Sequence, residues 1–141
     1  MPPQAISAQG TLIARAPAAT PGVFTTIGEL RNITPPPLMR NAIETTSHNE
    51  DEESFVVGIR RKGEMSFQIG FTPAADATHD ESTGLIKAWR DGSRDIYRVT
   101  FPDLKQWLFS GYVTNVGPSA PVDDGLVADV TIRPTGLMSF V

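Results

Sequence analysis

Glu64-Met65-Ser66-Phe67-Gln68-Ile69-Gly70-Phe71-Thr72 is the stretch that decides the fold. Met65, Phe67, Ile69 and Phe71 fall on one side of an extended chain, and Glu64, Ser66, Gln68 and Thr72 on the other. Side chains of a strand alternate between faces, so this period of two predicts a strand with one buried and one wet face. On its C-terminal side, Tyr97, Val99 and Phe101 share one side of a second strand over residues 96–101, which Pro102-Asp103 ends. Residues 107–116 are apolar on both faces in places, which predicts a central strand or one at an interface. Residues 126–133 alternate again, with Ala128, Val130 and Ile132 inward and Asp129, Thr131 and Arg133 outward; residues 137–141 predict a short last strand. Towards the N-terminus, residues 11–16 and 23–27 read as a hairpin closed by a turn over residues 17–22.

The chain has 141 residues, 12 prolines, 12 glycines and no cysteine. That length suits one domain spanning residues 1–141, able to bury a core without disulfides or metals. Short Val-, Ile-, Thr- and Phe-rich stretches between closely spaced Pro and Gly predict an all-β fold, a sandwich or barrel of two antiparallel sheets. One flanking helix is expected over residues 79–91: Thr78 and Glu81 form a capping-box pattern, Leu85, Ile86 and Trp89 share a face, and Gly92 stops it. The expected core is Met65, Phe67, Ile69, Phe71, Leu85, Trp89, Val130 and Ile132.

Two stretches do not read as core. Residues 32–40, with Pro35-Pro36-Pro37, predict a stiff extended connector. Residues 44–62 form a long hairpin-like loop, acidic and polar at its centre, that returns through Phe55-Val56-Val57-Gly58-Ile59. A long insertion in a small domain is usually functional or disordered.

Net charge is −4, with 12 basic against 16 acidic residues, which argues against stable nucleic-acid binding. The apolar stretches are far too short to cross a bilayer, and the N-terminus lacks signal-peptide character, so synthesis and folding in a cytoplasm are expected. His48 with Glu50, Asp51 and Glu52 fits no metal-ligand spacing, and the plainer reading is a solvated charged loop. His79 reads as a capping or surface residue at the helix start. Nothing resembles a hydrolase nucleophile motif or a phosphate-binding loop, so no catalysis, cofactor or metal is expected. Trp89 and Trp107 allow a sugar platform, though helix-to-sheet core for Trp89 and sheet core or subunit contact for Trp107 are the plainer readings.

Taken together, several segments resemble the tail tube proteins of long-tailed, non-contractile phages. Ile43-Glu44-Thr45-Thr46-Ser47-His48 is similar to the family's "ETT" segment at the start of its long loop. Gly63-Glu64-Met65-Ser66-Phe67 and Phe71-Thr72-Pro73 resemble the strand and turn that follow, residues 85–92 the single helix, and Phe101-Pro102-Asp103 the turn before the next hairpin. Val130-Thr131-Ile132-Arg133-Pro134-Thr135-Gly136 is similar to the closing strand and its Pro-Thr-Gly turn. Order, spacing and length agree over nearly the whole chain; the Pro35-Pro36-Pro37 run departs from the pattern.

The resemblance implies a β-sandwich virion protein forming hexameric rings that stack into a hollow tube, the conduit for genome DNA, which passes without stable binding. It implies tape-measure, terminator and tail-tip proteins as partners. The fold is shared with contractile-tail tubes and the type VI secretion tube, which stay open as alternatives. Within such a chain the loop is the expected assembly element, through Glu44, Thr45, Thr46, His48, Glu50, Asp51, Glu52, Glu53, Phe55, Val57, Ile59, Arg60 and Arg61. Its acidic centre and Arg60-Arg61-Lys62 are expected to pair within the loop or across subunits. A monomeric β-sandwich binding a ligand or carbohydrate, and a hydrolase with scattered residues, are the other readings; formation of rings or tubes discriminates between them and the first.

Overall fold

A computed structural model describes residues 10–18, 22–28, 30–49, 51–71, 78–120, 122 and 125–141. The fold is mostly β, two antiparallel sheets with one helix and no closed barrel, an all-β sandwich. The chain order is β1 (Leu12–Ala16), β2 (Thr25–Thr26), β3 (Leu30–Thr34), β4 (Leu38–Glu44), β5 (Phe55–Lys62), β6 (Met65–Gly70), α1 (Leu85–Asp91), β7 (Asp95–Thr100), β8 (Gln106–Ser119) and β9 (Val127–Phe140). The larger sheet has seven strands in the order β2-β1-β7-β8-β9-β6-β3; β4 and β5 form the second sheet alone.

β6 carries the alternation that its sequence dictates. Met65, Phe67 and Ile69 are buried, Ser66 is exposed, and Phe71 packs half-buried beside them. Its partner β9 answers residue for residue, Phe67 opposite Val130 and Met65 opposite Ile132, so the apolar sides of both strands coincide. One contiguous core joins these to Ile13 of β1, Tyr97 and Val99 of β7, Phe109 and Val113 of β8, and Leu85 and Ala88 of α1. Thr72 and Pro73, the rest of the expected strand end and turn, lie outside the described residues, as do residues 19–21 of the first hairpin's turn.

Several expectations change. The strands expected over residues 126–133 and 137–141 merge into one, β9 (Val127–Phe140), fourteen residues long. The connector over residues 32–40 is largely strand, leaving Pro35-Pro36-Pro37 between β3 and β4. The helix begins six residues later than its pattern suggested, at Leu85, with Gly84 and not Thr78 at its cap. The cause is local: the Asp80 carboxylate accepts the N–H groups of Ser82 (3.2 Å) and Thr83 (2.8 Å) and the Thr83 hydroxyl, holding residues 80–83 in a turn. The bond from Thr83 N–H, foremost among these, holds the Asp80 carboxyl below its usual range. Gly92 closes the helix in the left-handed region (φ 60°), as expected.

The shorter helix turns a different side inward. Leu85 and Ala88 face the core, and Trp89, expected there, is 55% exposed: it stands about 70° round the helix from the direction midway between those two. His79, expected at the surface, is fully buried: its Nε2 lies 2.8 Å from the Gly28 carbonyl, its ring stacks on Phe71, and Thr78 beside it accepts the Gly28 N–H.

A buried ion pair that the sequence did not announce fastens this corner. Arg15 of β1 donates from Nε to Asp95 of β7 at 2.8 Å and from Nη1 to the Thr83 carbonyl. Asp95 also accepts the Ala18 N–H and the Ser93 hydroxyl, so its buried charge is well supplied with donors. Tyr97, two residues on, is buried with no hydrogen bond to its hydroxyl. Burial, then the Asp95 charge, push the phenol well above its ordinary value, and Arg15 opposes them only in part.

Phe67→Ala should cost about 3–5 kcal/mol in denaturant melts, and Trp89→Ala under about 1 kcal/mol. For Tyr97 the folded-state value stands above the unfolded one near 10. Its contribution to stability is therefore intact below about pH 10 and lost as pH rises beyond it. Tyr97→Phe should flatten that alkaline loss, read as the difference between melts at pH 8 and pH 11, and cost little at neutral pH because it removes an unpartnered hydroxyl.

Candidate assembly surface

β4 and β5 make a two-stranded arm. An isolated hairpin is marginal in water and needs a third strand or a packed layer. Every residue of β4 is exposed, and so are six of the eight in β5. Directly opposed residues of an antiparallel pair share a face. Ile43 opposes Val56 on one face; Ala42 opposes Val57 and Glu44 opposes Phe55 on the other. The arm is thus apolar on both faces, with Val57 63% and Ile59 79% exposed. Docking one face against a neighbour leaves the other wet, so full burial needs a layer on each side.

The base of the arm is fixed by the proline run. Pro36 is fully buried. The Pro37 carbonyl accepts the Gly63 N–H at 2.8 Å. A Cβ on Gly63 would stand 2.4 Å from Pro37 Cγ, so only glycine lets the two strands meet there. The Lys62 ammonium then donates to the Gly136 carbonyl of β9, tying arm to sheet.

At the far end Thr45 N–H donates to the Ser54 carbonyl (2.7 Å) and Ser54 N–H to the Thr46 hydroxyl (2.8 Å), closing the mouth of the tip loop. Glu44, Thr45, His48, Asp51, Glu52 and Glu53 are exposed around it; Glu50 lies outside the described residues. Arg60 and Arg61 sit at the base, where Arg60 opposes Arg40 and Arg61 opposes Met39. The expected pairing of these cations with the acids inside the loop is not made: among the described residues no ion pair joins them. Six strand steps, roughly 20 Å, part Phe55 from Arg61.

β4 was missed as a strand. Its signal was Leu38-Met39 and Ala42-Ile43, interrupted by Arg40-Asn41. Also missed were Leu137 (83% exposed) and Phe140 (58%) on the outer half of β9. Trp107 packs edge-on to Phe101 and Phe140 at 5.2 and 5.6 Å and lies partly buried against the core.

The model of the lambda phage tail tube protein family matches residues 8–140. The chain belongs to the lambda phage tail tube protein family. As a tail tube protein it has a structural role in the virion tail. Among solved structures, a chain from the tail of the empty gene transfer agent particle, refined with helical and C6 symmetry, is similar at TM-score 0.79 and 19% identity, over 97% of this chain and 99% of that one. The SPP1 tail tube is similar at TM-score 0.75 and 10% identity, over 96% and 78%. A chain of the anti-feeding prophage baseplate, six-fold symmetrised, is similar at TM-score 0.76 and 12% identity, over 100% and 97%. At these identities the likeness is one of fold. No curated protein matches the chain.

Gly63→Ala should cost about 1–3 kcal/mol by driving the new methyl into the Pro37 ring. Adding Pro37→Ala should recover at least half of that loss in a double-mutant cycle; independent, additive losses would show that the two residues are not in contact.

Proposed function

We propose that this tail tube protein polymerises as hexameric rings stacked into a tube through which genome DNA passes, with the β4–β5 arm as the main assembly element. The exposed arm, apolar on both faces, carries the reading. A surface of this kind is a liability in a free subunit and becomes an asset once neighbours cover it. A heterologous contact closes into a ring when its rotation closes and runs into a filament when it does not, and stacked rings use both. The six-fold symmetry of the gene transfer agent tail that the chain resembles supports the hexamer.

The net charge of −4 suits a conduit. A DNA duplex carries one negative charge per about 1.7 Å, and an acidic wall repels it over about 8 Å at physiological salt. DNA then slides without sticking. The remaining partners are a tape-measure protein within, a terminator at the head end and a tip complex at the other. Subunits assemble in the host cytoplasm, and the chain works without catalysis, cofactor or metal.

Negative-stain microscopy of the concentrated protein should show rings or tubes with six-fold end views. Deleting residues 47–54 should leave a folded subunit with unchanged circular dichroism and no tubes. Normal polymerisation of that variant would move the assembly contact away from the arm.

A further inference from the structure

A groove of about 670 Å³ lies between the base of the arm and the outer half of β9. Its size is that of binding clefts, about 300–1,000 Å³. Its apolar lining includes Ile59, Leu137 and Phe140, and its charged lining is Arg40, Arg60, Arg61 and Lys62 with no acid. Arg40 and Arg60 are directly opposed across the ladder, a like-charge pair that costs free energy in an isolated subunit. Among the described residues no carboxylate pairs with Arg40, Arg60 or Arg61. An anionic, partly apolar group from outside would complement this arrangement.

The chain itself carries such a group. The tip of the same arm presents Asp51, Glu52 and Glu53 immediately before Phe55 and Val56, all exposed. The tip cannot reach its own groove, because the strands between hold it roughly 20 Å away. At that distance, more than two Debye lengths of about 8 Å, the two ends of the arm do not neutralise each other. We propose that the acidic tip of one subunit's arm docks in the basic groove at the arm base of a second copy. This rests on the tube reading and adds to it the partner site of the arm. The acids meet the arginines, and Phe55 and Val56 meet the apolar lining. Tip and groove are opposite ends of one element, so the contact is head-to-tail and propagates.

Charge exchange tests it. Three variants are compared with the wild type by pelleting and microscopy: Arg40→Glu/Arg60→Glu/Arg61→Glu, Asp51→Lys/Glu52→Lys/Glu53→Lys, and the chain with all six changes. The substituted positions are exposed, and circular dichroism checks that each variant folds. Each triple variant should need at least about tenfold more protein for half-polymerisation, by like-charge repulsion at the contact. The six-fold exchange should return to within about threefold of wild type, and an equimolar mixture of the two triple variants should assemble where neither does alone. Wild-type tubes with triple variants that assemble normally would overturn the docking and leave the tube reading standing; the groove would then take some other occupant. Folded triple variants that fail, with no rescue in either combination, would also overturn it. A wild-type chain that stays monomeric overturns the tube reading and this contact with it.

Discussion

The ladder between β8 and β9 runs from the pair Ser119–Val127 to the pair Trp107–Phe140, and the rest of the molecule hangs from it. Such length is possible because the ladder bends, with register shifts between Leu108 and Ser110 and between Val113 and Asn115. Bulges of this kind strengthen twist and let a long strand follow a curved core. The first half of β9 pairs with β6 as well and closes the core. Beyond Ile132 β6 has ended, and the second half of β9 is free to meet the arm at Gly136. One strand thus closes the core along part of its length and meets the arm along the remainder.

The same division explains what the sequence disclosed. β6 and the first half of β9 were legible because each has one buried and one wet face, which leaves a period of two. The second half of β9 looked like a turn, since Pro134 and Gly136 are usual turn residues. β6 has no partner residue for β9 at Pro134, and Gly136 takes its φ of 77° without strain. The arm was legible as a hairpin-like loop with an apolar return strand, and its outgoing strand β4 was not. Neither face of the arm is buried within the subunit, so no alternation marks it. The helix misreading has a smaller cause: Ala88 is as apolar as the position needs but too small to weigh against Trp89 in a pattern. The Arg15–Asp95 pair, 80 residues apart in sequence, leaves no local trace at all.

The chain has no cysteine, so no disulfide contributes to its stability. Stability comes from one apolar cluster, with a buried ion pair that joins β1, β7 and the turn before α1. The pair fastens α1 and its turn to the sheet, while the arm and the outer half of β9 keep Val57, Ile59, Leu137 and Phe140 exposed.

The close packing of Pro37 on Gly63 makes the base of the arm a fulcrum. With a lever of roughly 20 Å, a tilt of ten degrees there carries the tip through about 3–4 Å, the width of a single side-chain contact. In the proposed assembly, stiffness at this one backbone crossing would set how far adjoining subunits lean before the arm contact slips, and with it the bending that a filament of them tolerates.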